Sequence, residues 1–277
     1  MAYPTVSAPY GLKPVNLVGG QVFAGSTRSI PIQYGYNTTI GNGDTVVIAS
    51  GTITRAVIAA ATTGKQITGI FLGCTFTNPL TKQKQFNQYW PSGTLAGDCE
   101  AYVLDDPDAV FKAVVCSSGT TIASGAMAMI GTNLSAVNNT GSTTTGNSAN
   151  AVLAPSATPV TTTLPLRMIG LVHETAVDLG TVTYSSGTTT LTVSALPSAL
   201  PVGTDVAVLT TNGQIAQTGS FVATAANAGA TSVVLNQAAS FTLNSGDKTA
   251  TVVFTQFPEI LVKLNQSLHG YYSATGA

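Results

Sequence analysis

Residues 101–114 read AYVLDDPDAVFKAV. Two runs of apolar and β-branched residues, Tyr102–Leu104 and Val110–Val115, flank the acidic tetrapeptide Asp105-Asp106-Pro107-Asp108. Such runs fit a pleated, half-buried surface, and Asp and Pro punctuate them, so the stretch reads strand, turn, strand. The same grammar extends in both directions. Towards the N-terminus, Gly41-Asn42-Gly43-Asp44 is a turn leading into Thr45–Ala49, and Gly51–Ala56 and Gln66–Cys74 are further strands after an opening Ile30-Pro31-Ile32. Towards the C-terminus, Leu166–Val172 and Ile260–Leu264 read as strands. Thr, Val, Ser and Gly dominate, and only Ala56–Ala61 and Gly119–Met129 suggest short helical turns. The fold class is therefore all-β.

Composition limits the function. The chain has 277 residues, a net charge of -1, 44% hydrophobic and only 8% charged residues, against roughly 25% charged in ordinary soluble proteins. So few charges suit a surface covered by copies of itself or by partners. With no basic excess and Lys82 and Lys84 as the one close basic pair, direct nucleic-acid binding is not expected. No apolar run approaches the roughly 18 residues that span a bilayer, so no membrane association is expected. The opening MAYPTVSAPYG lacks the basic and apolar regions of a secretory signal, which predicts synthesis and assembly in a cytoplasm. The three cysteines, Cys74, Cys99 and Cys116, are widely spaced and read as buried thiols. With two histidines, His173 and His269, no metal site is expected, and no cofactor.

Three regions stand apart. Residues 1–29 carry Pro4, Pro9, Pro14 and several glycines, which reads as an extended arm whose Tyr3, Tyr10, Val15, Leu17, Val22 and Phe23 need burial by something. Residues 131–163 contain no charge and read as a long surface excursion with one ordered segment near Ala149–Leu153. Residues 180–254 hold only three charges, Asp205, Asp247 and Lys248, and six strands are predicted there: Thr181–Tyr184, Thr189–Ser194, Asp205–Thr210, Gly219–Ala225, Ser232–Leu235 and Thr249–Phe254. Within this module TTTLTVSALPSALPVGTDVAV (188–208) echoes ATSVVLNQAASFTLNSGDKTA (230–250). An immunoglobulin-like β-sandwich fits the rhythm, and so do two hairpin repeats of one smaller barrel.

Catalytic patterns are weak. His173-Glu174 with Asp178 could form a base oriented by a carboxylate, but reads better as a polar corner. No G-x-S-x-G elbow is present. The Asp105–Asp108 run lacks the Gly and distal Glu of a calcium loop and reads as a capped turn. The chain is not expected to be an enzyme. Tyr34, Tyr36, Phe86, Tyr89 and Trp90 lie near turns, and Tyr271 and Tyr272 in the tail. Tyr and Trp favour interface centres, so Tyr3, Tyr10, Phe23, Tyr89, Trp90, Tyr271 and Tyr272 are the candidate interface residues.

Six stretches in order, GLKPVNLVGG (11–20), ITGIFLGCTFTNP (67–79), QFNQYWPSGT (85–94), AYVLDDPDAVFKAV (101–114), GSTTTGNSANAVL (141–153) and LPLRMIGLV (164–172), give the chain its likeness. It resembles a family of tailed-phage virion proteins, common among phages of aquatic bacteria and regarded as capsid decoration or cement proteins. The resemblance covers most of residues 10–178 and the tail from about 256. It implies a small β-barrel or β-tulip-like core that binds the major capsid protein and sister copies, often as a homotrimer, on the outer surface of the virion. In that family LPLR-x-x-GLV passes almost directly into a strand like FPEILVKLN, whereas here residues 179–255 intervene. The implied organisation is an arm at 1–29, a discontinuous core at 30–178 plus 256–277, and an inserted immunoglobulin-like domain at 179–255. The alternative function is a fibre or tail adhesion component whose inserted domain binds host-surface glycans.

Overall fold

The computed structural model describes residues 6, 8–58, 66–123, 125, 129–154, 163–172, 177–184, 187–196, 199–200, 202–203, 205–209, 215–238, 252–256 and 258–272. Among them are twenty strands, a 3-10 turn at Gln266–Leu268 and no α-helix.

The first body is a nearly closed barrel. It is built from β2 (Arg28–Pro31), β3 (Thr45–Ala49), β4 (Thr52–Arg55), β5 (Gly69–Thr77) and β7 (Glu100–Leu104), in the order β2-β7-β5-β3-β4. Ile32, just past β2, bridges in parallel to Ile53 of β4 and brings the two edges together. The short β6 (Lys84–Asn87) extends the wall from the far end of β5. The interior holds Ile30, Val46, Ile53, Phe71, Cys74, Phe76, Trp90 and Val103. Strict alternation along β5 would point Phe71 and Cys74 to opposite faces. The register of β5 against β7 instead shifts between Phe71 and Gly73, and this bulge at Leu72 returns Cys74 and Phe76 to the barrel face.

The second body is an eight-stranded sheet. Its members are β1 (Lys13–Leu17), β8 (Ala109–Ser118), β9 (Thr121–Ile122), β10 (Asn133–Leu134), β11 (Ala136–Val137), β12 (Ala151–Leu153), β13 (Leu166–Leu171) and β20 (Glu259–Leu264). The path is β10-β13-β20-β8-β12-β11, and β1 and β9 also pair with β8. Phe111, Ala113 and Val115 of β8 face the main core, which they share with Ile70 and Leu104 of the barrel. Val114 and Cys116 face a smaller cluster with Ala151 and Tyr10 on the other side. Both β5 and β8 are therefore covered on two faces, and each fully buried Phe contributes about 2 to 3 kcal/mol by leaving water. The two runs of 101–114 do not pair with each other: β7 belongs to the barrel and β8 to the sheet, and the acidic turn is the crossing point.

The third body has β14 (Val177–Tyr184), β15 (Thr190–Thr192), β16 (Asp205–Leu209), β17 (Ile215–Thr224), β18 (Ser232–Leu235) and β19 (Val252–Gln256). All six predicted strands are present. The pairings form one path, β16-β17-β18-β15-β14-β19, with β16 alongside β19. This single six-stranded path does not confirm the expected immunoglobulin-like sandwich. The first runs of the internal echo pair directly, Leu191 opposite Val233. Leu191, Leu200, Val206, Val222, Val233 and Leu235 form a core of its own.

Residues 13–17 of the arm form β1, which pairs with β8, and Leu12 is fully buried in the main core. Of the helical turn expected at Gly119–Met129, residues 119–120 form a tight turn and Thr121 and Ile122 pair back onto β8 as β9, while Met129 lies in a 3-10 turn and residues 124 and 126–128 lie outside the described residues. The described part of Ala56–Ala61, residues 56–58, has no helix. The uncharged stretch from 131 is not a surface excursion up to residue 154: Leu134, Ala136, Ala151 and Val152 are fully or almost fully buried.

Candidate functional site

The uncharged stretch is held by polar bonds, and these build the most distinctive site. Gly41–Asp44 closes a turn, with Asp44 N–H donating to the Gly41 carbonyl at 3.0 Å. Gly41 is required there, because a Cβ on it would lie 2.8 Å from the backbone nitrogen of Ser148. The turn pushes the Asp44 carboxylate inward, where it is 1% exposed. Oδ2 accepts from Gly41 N at 2.8 Å, and Oδ1 accepts from Ser148 Oγ at 2.5 Å and Arg55 Nη2 at 3.3 Å. Arg55 Nε sits 3.1 Å from Asp44 Oδ2, near enough for an ion pair without hydrogen-bond alignment. Arg55 Nη2 also donates to the Asn139 carbonyl at 2.5 Å and to Asn150 Oδ1 at 3.0 Å.

Asn150 is fully buried, and its Oδ1 also accepts from Asn139 N at 3.2 Å. Two donors on one oxygen fix the amide orientation. Burial pushes the Asp44 carboxyl above the ordinary carboxylate value, and Arg55, Ser148 and the Gly41 N–H pull it back. Lys13 adds a clamp from β1: Nζ donates to Asn42 Oδ1 at 2.5 Å and Asn147 Oδ1 at 3.1 Å. Burial lowers the Lys13 ammonium, and the charge of Asp44 opposes this. The seam therefore ties the barrel, β1 and residues 139–150 together through one ion pair and a set of amides.

A second cluster gathers on the acidic turn. Arg28 Nε lies 2.8 Å from Asp105 Oδ2, Tyr271 Oη donates to the same oxygen at 2.9 Å, and Arg28 stacks 5.0 Å from the Tyr271 ring centre. The His269 ring is fully buried, with Nε2 3.0 Å from the Asp105 carbonyl. Asp106 Oδ1 accepts from Asp108 N at 2.8 Å, which caps the turn. A third lock joins Tyr10 to the core: its hydroxyl donates to Glu259 Oε1, while Lys112 Nζ is 3.3 Å from Glu259 Oε2. Burial and the neighbouring Glu259 raise the Tyr10 hydroxyl, so it stays a donor.

The predicted interface residues separate. Tyr271 and Tyr272 are 43% and 56% exposed. Tyr10 and Phe23 are half-buried against their own core, and Tyr89 is half-buried. Trp90 is corrected: it is fully buried in the barrel, edge-on to Phe76, with Nε1 donating to the Tyr36 carbonyl at 3.1 Å, so it packs the core and presents no contact face. Tyr3, His173 and Glu174 lie outside the described residues. Cys74, Cys99 and Cys116 are buried free thiols, and burial pushes Cys74 up to about 12 and Cys116 up to about 11. No group of His, Cys, Asp and Glu among the described residues could hold a metal ion.

Sequence reasoning missed Asp44, Arg55, Ser148 and Asn150. One signal was present: Arg55 stands two residues after Ile53 on the same face of its strand, and a charge on an inward-facing parity requires a buried partner. The arm, whose Val15 and Val22 were expected to be buried by something, carries an apolar hairpin. Gly19 and Gly20, both with left-handed φ, turn the chain after β1 so that Val22 bridges back to Asn16. Val15, Val18 and Val22 on this hairpin are 47%, 48% and 82% exposed.

No protein-family model, curated protein or solved structure matches the chain.

Proposed function

We propose that this chain is a structural protein of a tailed-phage particle, which decorates the capsid and stabilises it by binding the major capsid protein and sister copies. The observation that carries the reading is the hairpin after β1, where three valines stand in water on a tight, glycine-built turn. Exposed apolar groups gathered on one element mark contact surfaces. The low charged fraction supports it, as does the resemblance of the stretches between residues 11 and 172 to capsid cement proteins. The three polar clusters serve a part that must resist deformation, since they join segments far apart in sequence. The third body follows the β13 strand and would stand away from the shell.

Cryo-electron microscopy of the intact particle tests this reading. Density for the barrel on the outer capsid, with the Val15–Val22 hairpin against the shell or a sister copy, is expected. Finding the protein on the tail, or missing from the particle, overturns it.

A further inference from the structure

Beside the buried ion pair, a recess of about 270 Å³ opens between the barrel and residues 140–147. Its floor is Asp44 and Arg55, and its walls include Asn37, Thr38, Thr39, Tyr89 and Thr140. Arg55 spends Nη2 on Asp44, Asn139 and Asn150, and pairs Nε with Asp44, which leaves Nη1 with no acceptor among the described residues. Asn37 uses its oxygen on Ser92 Oγ at 2.8 Å, and its amide donors have no partner among the described residues. The hydroxyls of Thr38, Thr39, Thr140 and Tyr89 have none either. Hydrogen-bonding groups from four segments thus converge on one half-open space.

We infer that this recess is a binding site for a neutral carbohydrate, one hexose ring of a longer glycan. The chemistry selects the class. Asp44 already balances the charge of Arg55, and no other charged side chain lines the recess, so an anion gains little there. An apolar ligand would strand the hydroxyls and the guanidinium without partners. A sugar meets both demands, with vicinal hydroxyls accepting from Arg55 Nη1 and exchanging bonds with the threonines, and its C–H face against the Tyr89 ring. The volume suits one ring and falls below the roughly 300 to 1,000 Å³ of drug-sized sites. The site belongs to the first two bodies, so glycan recognition would not need residues 177–256. It is independent of the capsid role, because a decorating protein can carry it facing outward.

The test titrates the full chain with D-galactose, D-glucose, D-mannose and N-acetyl-D-glucosamine by calorimetry and amide NMR, with sodium phosphate as the anion comparison. Saturable binding of at least one sugar is expected, with Kd on the order of 1 mM, typical of a small contact. The Tyr89→Ala/Thr140→Val variant should bind at least tenfold more weakly at an unchanged melting temperature. If that variant is unstable, Thr38→Val/Thr140→Val on the exposed rim serves instead. Absence of saturable sugar binding overturns the inference. So does phosphate binding tighter than every sugar, or sugar binding that survives the substitutions.

Discussion

Val172 donates its backbone N–H to the carbonyl of Glu259 at 3.1 Å, so the strands on either side of the third body meet at a single hydrogen bond. Leu171 and Ile260 pair directly behind it, and the β13–β20 ladder continues to Leu166 and Leu264. The entry and exit of the third body are therefore neighbours on an already paired ladder.

Removing residues 173–258 and joining the ends by a short Gly-Ser turn should leave the first two bodies folded. Circular dichroism should keep its β signature, and melting should remain a single cooperative transition. Aggregation of the shortened chain, or loss of cooperativity, would show that the third body is needed by the rest.

Arg55→Met should be far more damaging than a surface change. It leaves Asp44 buried and unpaired and removes the donor to Asn139 and Asn150. A loss of about 3 to 5 kcal/mol is expected from denaturant unfolding, as for other broken buried pairs. A loss below about 1 kcal/mol would mean the ion pair contributes only as an exposed one does.

Gly41→Ala and Gly51→Ala separate crowding from backbone strain. Gly51 has φ of +79° and nothing within 4 Å of an added Cβ, so about 1 kcal/mol is expected for the left-handed conformation alone. At Gly41 the added Cβ meets the Ser148 backbone at 2.8 Å, and the turn must move away from residues 147–148. A larger loss is expected at Gly41 in the same unfolding assay, along with weaker amide protection at Ser148. Equal losses would contradict the close approach.

Acid should weaken the C-terminal anchor. Tyr271 N–H donates to His269 Nδ1 at 3.3 Å, so Nε2 carries the hydrogen towards the Asp105 carbonyl and the ring is neutral. Burial holds the ring below its ordinary value of 6.5, although the Asp105 carbonyl bond and the charges of Asp105 and Asp106 oppose the shift; Tyr271 and Tyr272 pack on the ring. A folded-state value below the unfolded one means the unfolded chain takes up the proton first. The contribution is therefore complete above about pH 6.5 and declines as pH falls below it. Melting temperature measured from pH 7.5 downwards should drop more steeply for the parent chain than for His269→Gln. Parallel curves would exclude His269 as the titrating group.

The strands were legible because their signal is local. β7 and β8 lie either side of Asp105–Asp108, and all six strands of the third body fall where β-branched runs lie between Gly, Pro and Asn. Their partners were not, because pairing is a property of distant segments: nothing near Val110 reveals that β8 will meet Lys13–Leu17 on one side and Glu259–Leu264 on the other. Trp90 misled as an aromatic near a turn, since the barrel interior that encloses it is assembled from Ile30 to Val103. Residues 131–154 misled for the opposite reason. Polar side chains read as exposed, yet Ser148 and Asn150 are buried, the Ser148 hydroxyl bonded to Asp44 and the Asn150 oxygen to Arg55 and Asn139.

The ladder on β8 also sets a timetable. Its partner β1 is already made when it emerges and β9 follows directly, whereas β20 leaves the ribosome only after the whole of the third body. At about 5 to 20 residues per second, Phe111, Met168 and Leu166 wait several seconds without the strand that covers them, while the third body can complete its own core. The nascent chain is thus most vulnerable to misassociation late in translation, and arrival of Glu259–Leu264 is the step that commits it.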